Sequence, residues 1–357
     1  MNASRRAILV ALALLLPVAI SVPLVAGFLG AWHPALDSFA HFRAHLAPAL
    51  VVAALPALFV PGIRRVGMAA LLFGAAALAS TVPGVALPGI SPVSAAFQAK
   101  DEKSAVYRLL QLNLRFDNRT PEKVLSLVGR LSPDVITLNE VSRYWTPKLA
   151  LLEKAYPYRI LCAIDSNVGA TAVLSRRPFA DGTQTACHVE GSMSTATIDF
   201  GGRPVAVAAL HLEWPWPFEQ PQQIGRMAPH LAALGPTALV AGDLNAAPWS
   251  HAVRRVAAAG GLTRAPAAGP TWLWRRLPVA FRPWIGLTID HVFAKGGIAV
   301  HSVTIAEPVG SDHAPLLVEF SLPAAADSEA DKALVQAPGG GVEAMPASAR
   351  LSASSAG

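Results

Sequence analysis

Charged side chains are almost missing from roughly the first 90 residues of this 357-residue chain, which excludes an ordinary soluble N-terminal domain. Cysteine is nearly absent too. The two present, Cys162 and Cys187, fit neither a zinc site nor a disulfide scaffold; one disulfide and a pair of buried thiols both remain open. No internal repeat is visible, which excludes a repeat array. Aromatic residues all but vanish after Leu322, where alanine, serine, glycine and proline give residues 323–357 the composition of a disordered tail. Strong charge is lacking as well. The net charge is +6, and residues 105–321 carry roughly +4, too mild a bias to imply nucleic acid by itself.

What is abundant is apolar: 53% of residues are hydrophobic and the mean hydropathy is +0.41. The excess is concentrated in three runs, about residues 7–30, 45–61 and 66–88, read as transmembrane helices of an N-terminal membrane region over residues 1–92. Arg5-Arg6 and Arg64-Arg65 flank these runs, and the positive-inside rule makes both pairs cytoplasmic. Three spans then place everything after Ile90 outside, as an extracytoplasmic domain of a multi-pass protein of the plasma or inner membrane. A cleaved signal peptide fits the first run equally and leaves the exit side unchanged, whereas failure of the second run to span would put the domain in the cytoplasm.

After a linker over residues 93–104, strands and helices alternate through residues 105–322. Strands are expected at Tyr107–Leu114, Asp134–Val141, Tyr158–Ala163, Ala170–Leu174, Thr237–Ala241, Thr288–Ala294, Val300–Ala306 and Ala314–Ser321, with a hairpin turned at Gly201-Gly202. Helices are expected from a cap at Thr120, at about Pro147–Ala155, at Gln220–Leu234 and at Ser250–Ala259.

Polar residues recur at the ends of the apolar strands. Asn113 closes "LLQLN", Glu140 closes "DVITLNE", and His211 closes "VAVAALH". Asp243 and Asn245 follow "ALVAG", Asp290 ends "GLTID", and Asp312-His313 open the last strand in "VGSDHAPLLVEF". Singly each has an ordinary explanation, an Asx turn, a helix cap or a solvated imidazole. Together they form an inventory of carboxylates, carboxamides and imidazoles without lysine, which suits a hard divalent cation with histidines for proton transfer.

The ordered set "QLNL", "TLNE", "HLEWP", "GDLNA", "IDHVF" and "GSDHAPLLVEF" resembles the endonuclease/exonuclease/phosphatase superfamily over about Val106–Leu322. More loosely, the membrane-anchored arrangement is similar to a bacterial branch that includes the glycopeptide-resistance protein VanJ. The resemblance implies an α/β fold, a four-layer α/β/β/α sandwich with two packed β-sheets and the site at one end of both. It implies Mg²⁺ or Mn²⁺ held by Glu140, with Asn113 and Asp312 as further metal-site residues. Asp243 and Asn245 would position water and phosphate, Asp290 would orient His313, and His211 matches a second histidine. Both Asp243 and His313 stand as candidate bases. Two departures are visible: Asn139 stands where glutamine is commoner, and the tyrosine of the abasic-site nucleases has no evident counterpart.

Two loops bear on the substrate. Trp214 and Trp216 follow His211, and Arg275 and Arg276 sit among Trp272, Trp274 and Trp284. Tryptophan with arginine suits stacked bases and phosphates, a membrane interface, or simple packing over the sandwich. Tethering near a bilayer favours the second. The expected activity is a membrane-anchored, metal-dependent phosphoesterase acting on a phospholipid or polyprenyl (pyro)phosphate, with lipid favoured over nucleic acid. The alternatives are an anchored extracytoplasmic nuclease on DNA or RNA, and a non-catalytic lipid- or partner-binding module.

Overall fold

Alternation along the strands builds the layers. In a computed structural model that describes residues 3–82, 97–100, 104–162 and 166–323, β1 (Val106–Asn113) sends Leu109 to one side and Leu110 and Leu112 to the other. Leu110 and Leu112 meet Val124, Leu127 and Val128 of an amphipathic helix, while Leu109 meets the second sheet.

The helices are α1 (Ala3–Phe28), α2 (Pro34–Ala40), α3 (Arg43–Leu58), α4 (Arg64–Ala79), α5 (Pro121–Leu131), α6 (Thr146–Leu149), α7 (Gln220–Ala232), α8 (His251–Gly260) and α9 (Arg282–Ile285). The strands after β1 are β2 (Val135–Val141), β3 (Tyr158–Leu161), β4 (Ala170–Ser175), β5 (Ala186–His188), β6 (Met193–Asp199), β7 (Pro204–His211), β8 (Ala238–Asp243), β9 (Thr263–Arg264), β10 (Asp290–Lys295), β11 (Ala299–Ile305) and β12 (Leu316–Ser321). They form two six-stranded sheets, ordered β11-β12-β1-β2-β4-β3 and β5-β6-β7-β8-β10-β9. Each has one parallel pair at its centre, β1 with β2 and β7 with β8, linked through α5 and α7; the other pairings are antiparallel. Leu109, Val135, Val207, Leu239, Val292 and Val318 pack between the sheets. Outside, α5 covers one sheet, and α7 and α8 cover the other through Ile224, Met227, Val253 and Val256. The expected layered sandwich is therefore present, and β5 and β9, too short for a periodic signal, are additions to it.

The membrane expectation needs correction. Among the described residues one helix, Ser4–Phe28 within α1, is long and apolar enough to cross a bilayer, rather than three. Its apolar side chains are mostly exposed, unlike those of a soluble core helix. The expected second span forms α3, which meets α2 at a 66° bend and counts only if that broken pair is taken as one span. The third forms α4, whose 16 residues reach about 24 Å, short of a hydrocarbon core of about 30 Å. Residues 83–88 of that expected span lie outside the described residues, as do most of the linker and the tail from residue 324 on. Small residues let α3 and α4 approach closely: a Cβ at Gly67 would press on Ala57.

The helical segment also docks on the sandwich. Asp37 of α2 accepts the backbone N–H groups of His251 (2.6 Å) and Ala252 (2.9 Å), unpaired donors at the start of α8. Trp249 Nε1 donates to Ala40 O at 2.6 Å.

Cys162 and Cys187 form a disulfide, settling the choice the sequence left open. It joins the end of β3 in one sheet to β5 in the other across a separation of 25 residues. Loop closure of that size contributes about 3 kcal/mol. Replacing both cysteines by serine should lower the thermal midpoint by roughly 5–10 °C, read by circular dichroism; equal midpoints would contradict the bond's stabilising role.

Candidate active site

Parity decides which strand-end residues meet. On the inter-sheet face Leu109 is followed by Gln111 and Asn113, Ala209 by His211, and Ala241 by Asp243. Register then sets His211 beside Asp243 and Asp243 beside Asp290, a row across three adjacent strands. Asn113 pairs with Asn139 in the facing sheet.

Glu140 reaches this row by breaking the alternation. Ile136 and Leu138 face α5, and undisturbed parity would send Glu140 the same way. A register shift between Leu138 and Val141, with Glu140 at φ 57°, turns it aside, and Val141 takes up the α5 side instead. A left-handed conformation at a non-glycine residue costs about 1 kcal/mol or more, and such strain gathers at functional sites. Gly169, at φ 87°, lies so tightly on the Val141–Ser142 backbone that a side chain would not fit.

One amide joins the two halves. Asn113 Nδ2 donates to Glu140 Oε1 and to Asp243 Oδ2, both at 3.0 Å, while its Oδ1 accepts the Arg115 N–H. The other Glu140 oxygen accepts the Phe116 N–H at 2.8 Å. Asp243 Oδ1 accepts from Asn245 N, and Asp243 Oδ2 lies 3.7 Å from His211 Nε2 and 3.6 Å from His313 Nε2. His313 Nδ1 meets Asp290 Oδ2 at 2.9 Å.

Burial sets the charges. Asp243 is pushed up to about 6 by desolvation, against the pull of His313. Burial works against a charged His313 ring as well, but Asp290 and Asp243 outweigh it and raise its pKa to about 10. Burial alone would raise Asp290; the charge of His313, with hydrogen bonds from His313, Thr271 and Gln111, holds it below the usual carboxylate range. His313 is thus an imidazolium clamped between two carboxylates.

The structure therefore brings Asn113, Glu140, His211, Asp243, Asn245, Asp290 and His313 together. Asp312 is one step removed, lining a cleft with Arg275 and Arg276. Trp216 stands away from the cluster against α2, its carbonyl accepting from Ser38 Oγ at 3.2 Å, and Trp214 is half exposed. Four supporting residues had no role assigned from the sequence. Gln111 Nε2 spans the sheets to Asn139 Oδ1 and Asp290 Oδ1. Asn139 ties Asp243 N to Leu210 O. Thr271 Oγ1 receives the Asp290 N–H, and Ser311 Oγ bonds Asn113 O. The available signal was parity, since Gln111 and Asn139 are polar residues on the inward side of apolar strands.

Donor atoms of Asp243, Asp290 and His313 lie within 4.8 Å of one another. An imidazolium in that trio disfavours a cation there. The Glu140 side fits a hard divalent ion better, because its carboxylate is approached by one amide and one backbone N–H and remains partly exposed.

Nuclear magnetic resonance titration of the metal-free protein should find His313 still protonated at pH 8. Asp290→Asn should lower that pKa by at least one unit. Because the folded pKa is raised, the His313 contribution to stability is complete below about 6.5 and is lost as pH climbs through about 10. A His313 ring that titrates near 6.5 in the metal-free protein would contradict the clamp.

The profile of the Endonuclease/Exonuclease/phosphatase family matches residues 110–313. No curated protein sequence matches the chain. Among solved structures, the endonuclease/exonuclease/phosphatase from Bacteroides vulgatus is 15% identical with a TM-score of 0.50, covering 61% of this chain and 100% of its own. TDP2 from D. rerio, complexed with single-strand DNA product, is 15% identical with a TM-score of 0.50, covering 61% and 99%. Sphingomyelinase C from Streptomyces griseocarneus is 16% identical with a TM-score of 0.44, covering 62% and 100%. At these identities the likeness is one of fold. With more than half its length matched by the family profile, the chain belongs to the endonuclease/exonuclease/phosphatase family.

Proposed function

We propose that the chain is a divalent-metal-dependent phosphoesterase, anchored by α1, that hydrolyses a lipid-linked phosphate ester on the extracytoplasmic side. The observation that carries the chemistry is the buried Asp243 carboxylate, set between His211 and His313 and tied through Asn113 to Glu140. Glu140, with Asn113 beside it and Asp312 in the adjoining cleft, would hold Mg²⁺ or Mn²⁺, which would supply charge neutralisation at the phosphoryl group and the leaving oxygen. Asp243 is the base: it takes a proton from the attacking water as the new P–O bond forms and the ester P–O bond breaks in line. Asn245, whose N–H fixes Asp243 Oδ1, keeps that carboxylate aimed. His313, oriented by Asp290, brings its Nε2–H to the phosphoryl oxygens, and His211 faces the same carboxylate from the other side.

Three features support a membrane setting. α1 is long and apolar enough to span, and with it as the one span, Arg5-Arg6 in its first turn favour a cytoplasmic start and an outside far end by the positive-inside rule. The disulfide suits an oxidising compartment. His45 of α3 lies against the backbone of Trp284 and Gly286, so the exposed Val279, Phe281, Trp284 and Ile285 stand beside the helical segment, where apolar rings suit headgroup depth.

Full-length protein with Mg²⁺ should turn over phosphate esters in lipid vesicles, and chelation should abolish this. Glu140→Ala should cost more than about 100-fold, and His313→Ala about 10²–10⁴-fold in kcat. Rapid cutting of plasmid DNA without lipid turnover would replace this reading with a nuclease; metal-independent vesicle binding without turnover would replace it with a binding module.

A further inference from the structure

Beside the catalytic cluster lies a cleft of about 510 Å³ whose walls are unusually basic for this chain. Arg115 and Arg119 come from the loop after β1, and Arg275 and Arg276 from the loop after Trp272. The two acids on its walls are Asp312 and Asp117, and Asp117 is already paired with Arg115 at 2.7 Å. Four guanidinium groups from two separate segments thus converge on one cavity, with Trp272 and Trp274 as its apolar side.

Both walls are fastened to the reaction centre. The Arg115 N–H donates to Asn113 Oδ1, and its carbonyl accepts Trp145 Nε1 at 2.9 Å. Arg115 is held at φ 59°, a conformation that favours glycine, yet the position carries a cation whose Nη1 is buried without a hydrogen-bond partner. On the opposite wall Leu273 N donates to Asp312 O at 2.8 Å, and Trp272 bridges to His313. A group bound between these walls therefore sits at a fixed offset from Asn113 and His313. Guanidinium is the side chain that matches phosphate oxygens in bidentate geometry.

We infer that this cleft is a second anion subsite, and that the substrate carries a second phosphate group next to the one hydrolysed, a diphosphate or a doubly phosphorylated headgroup. The inference rests on the phosphoesterase reading above. It adds what that reading leaves open: an ester with a single phosphate would leave the exposed Arg119, Arg275 and Arg276 without an anion to meet. The exposed apolar residues at 279–285 adjoin the same loop, so a lipid-borne diphosphate would reach the cleft from the membrane side.

Binding separates this inference from the activity. Calorimetry on full-length Glu140→Ala protein, with inorganic pyrophosphate and orthophosphate as probes, reads the subsite without turnover. Pyrophosphate should bind at least about tenfold more tightly than orthophosphate, because charge-assisted contacts add at the second phosphate. Arg275→Ala/Arg276→Ala, and separately Arg119→Ala, should reduce that preference at least threefold. Equal binding of the two anions, or a preference that neither variant changes, would overturn the subsite. In the active protein, a diphosphate lipid in vesicles and a soluble nucleoside diphosphate distinguish the two sources of the group. The arginine variants should lose kcat/KM on whichever is turned over by a larger factor than on bis-p-nitrophenyl phosphate, which has one phosphorus; an equal loss on both would contradict the inference. If no ester is hydrolysed while the pyrophosphate preference persists, the phosphoesterase reading fails and the subsite stands.

Discussion

A single carboxamide holds the proposed centre together. Asn113 ends β1, and its two N–H groups point to carboxylates from different sheets, Glu140 on β2 and Asp243 on β8. Bringing two anions this close in a partly buried site is unfavourable unless something donates to both or a cation neutralises them. Everything else serves that meeting. The two sheets bring the strands face to face, Gln111 and Asn139 fix their separation with buried hydrogen bonds, and the bulge at Glu140 redirects the one carboxylate whose parity was wrong. Truncating Asn113 would leave two acids without their shared donor, so its effect belongs to the site's electrostatics as much as to its shape.

The electrostatics divide the labour between neighbours. His313 is buried, yet two carboxylates overcome the desolvation that would neutralise it. Asp243, equally buried, also has its pKa raised, which for an acid favours the neutral form, because the pull of His313 and His211 does not compensate its lost hydration. The difference in favoured charge comes from counting partners: His313 has two counter-charges within reach, whereas Asp243 feels Asp290 repelling it as well as His313 attracting it. Asp243 becomes a carboxylate that exchanges protons close to neutrality, while His313 is a fixed positive charge. The sequence alone left the base undecided between these two, each a titratable residue at the end of an apolar strand.

Much of the sandwich was legible because strand parity and helical periodicity are local. Leu110 and Leu112 against Leu109 announce a strand buried on both faces, and the spacing of Val124, Leu127 and Val128 announces the helix that covers it. The strand-end positions of Asn113, His211, Asp243 and Asp290 were legible for the same reason, as each closes or opens an apolar run. What was not legible depends on contacts between segments distant in the chain. The pairing of Cys162 with Cys187 needs both sheet edges in place. Hydropathy counted three spans where the helices built by the second and third runs are too short, broken or bent, because proline and packing of small residues shape the segment as much as its greasiness does. The docking of Asp37 on the start of α8 carries no sequence signal, and it decides how the helical segment meets the sandwich.

Diffraction from crystals of the full-length protein soaked in Mn²⁺, recorded at the manganese absorption edge, bears most directly on the central claim that one cation site gathers these strand ends. A single strong anomalous peak within bonding distance of a Glu140 oxygen, on the Asn113 and Asp312 side of the cluster, is the result expected. No peak there, or one between Asp290 and His313 with Glu140 empty, would contradict it.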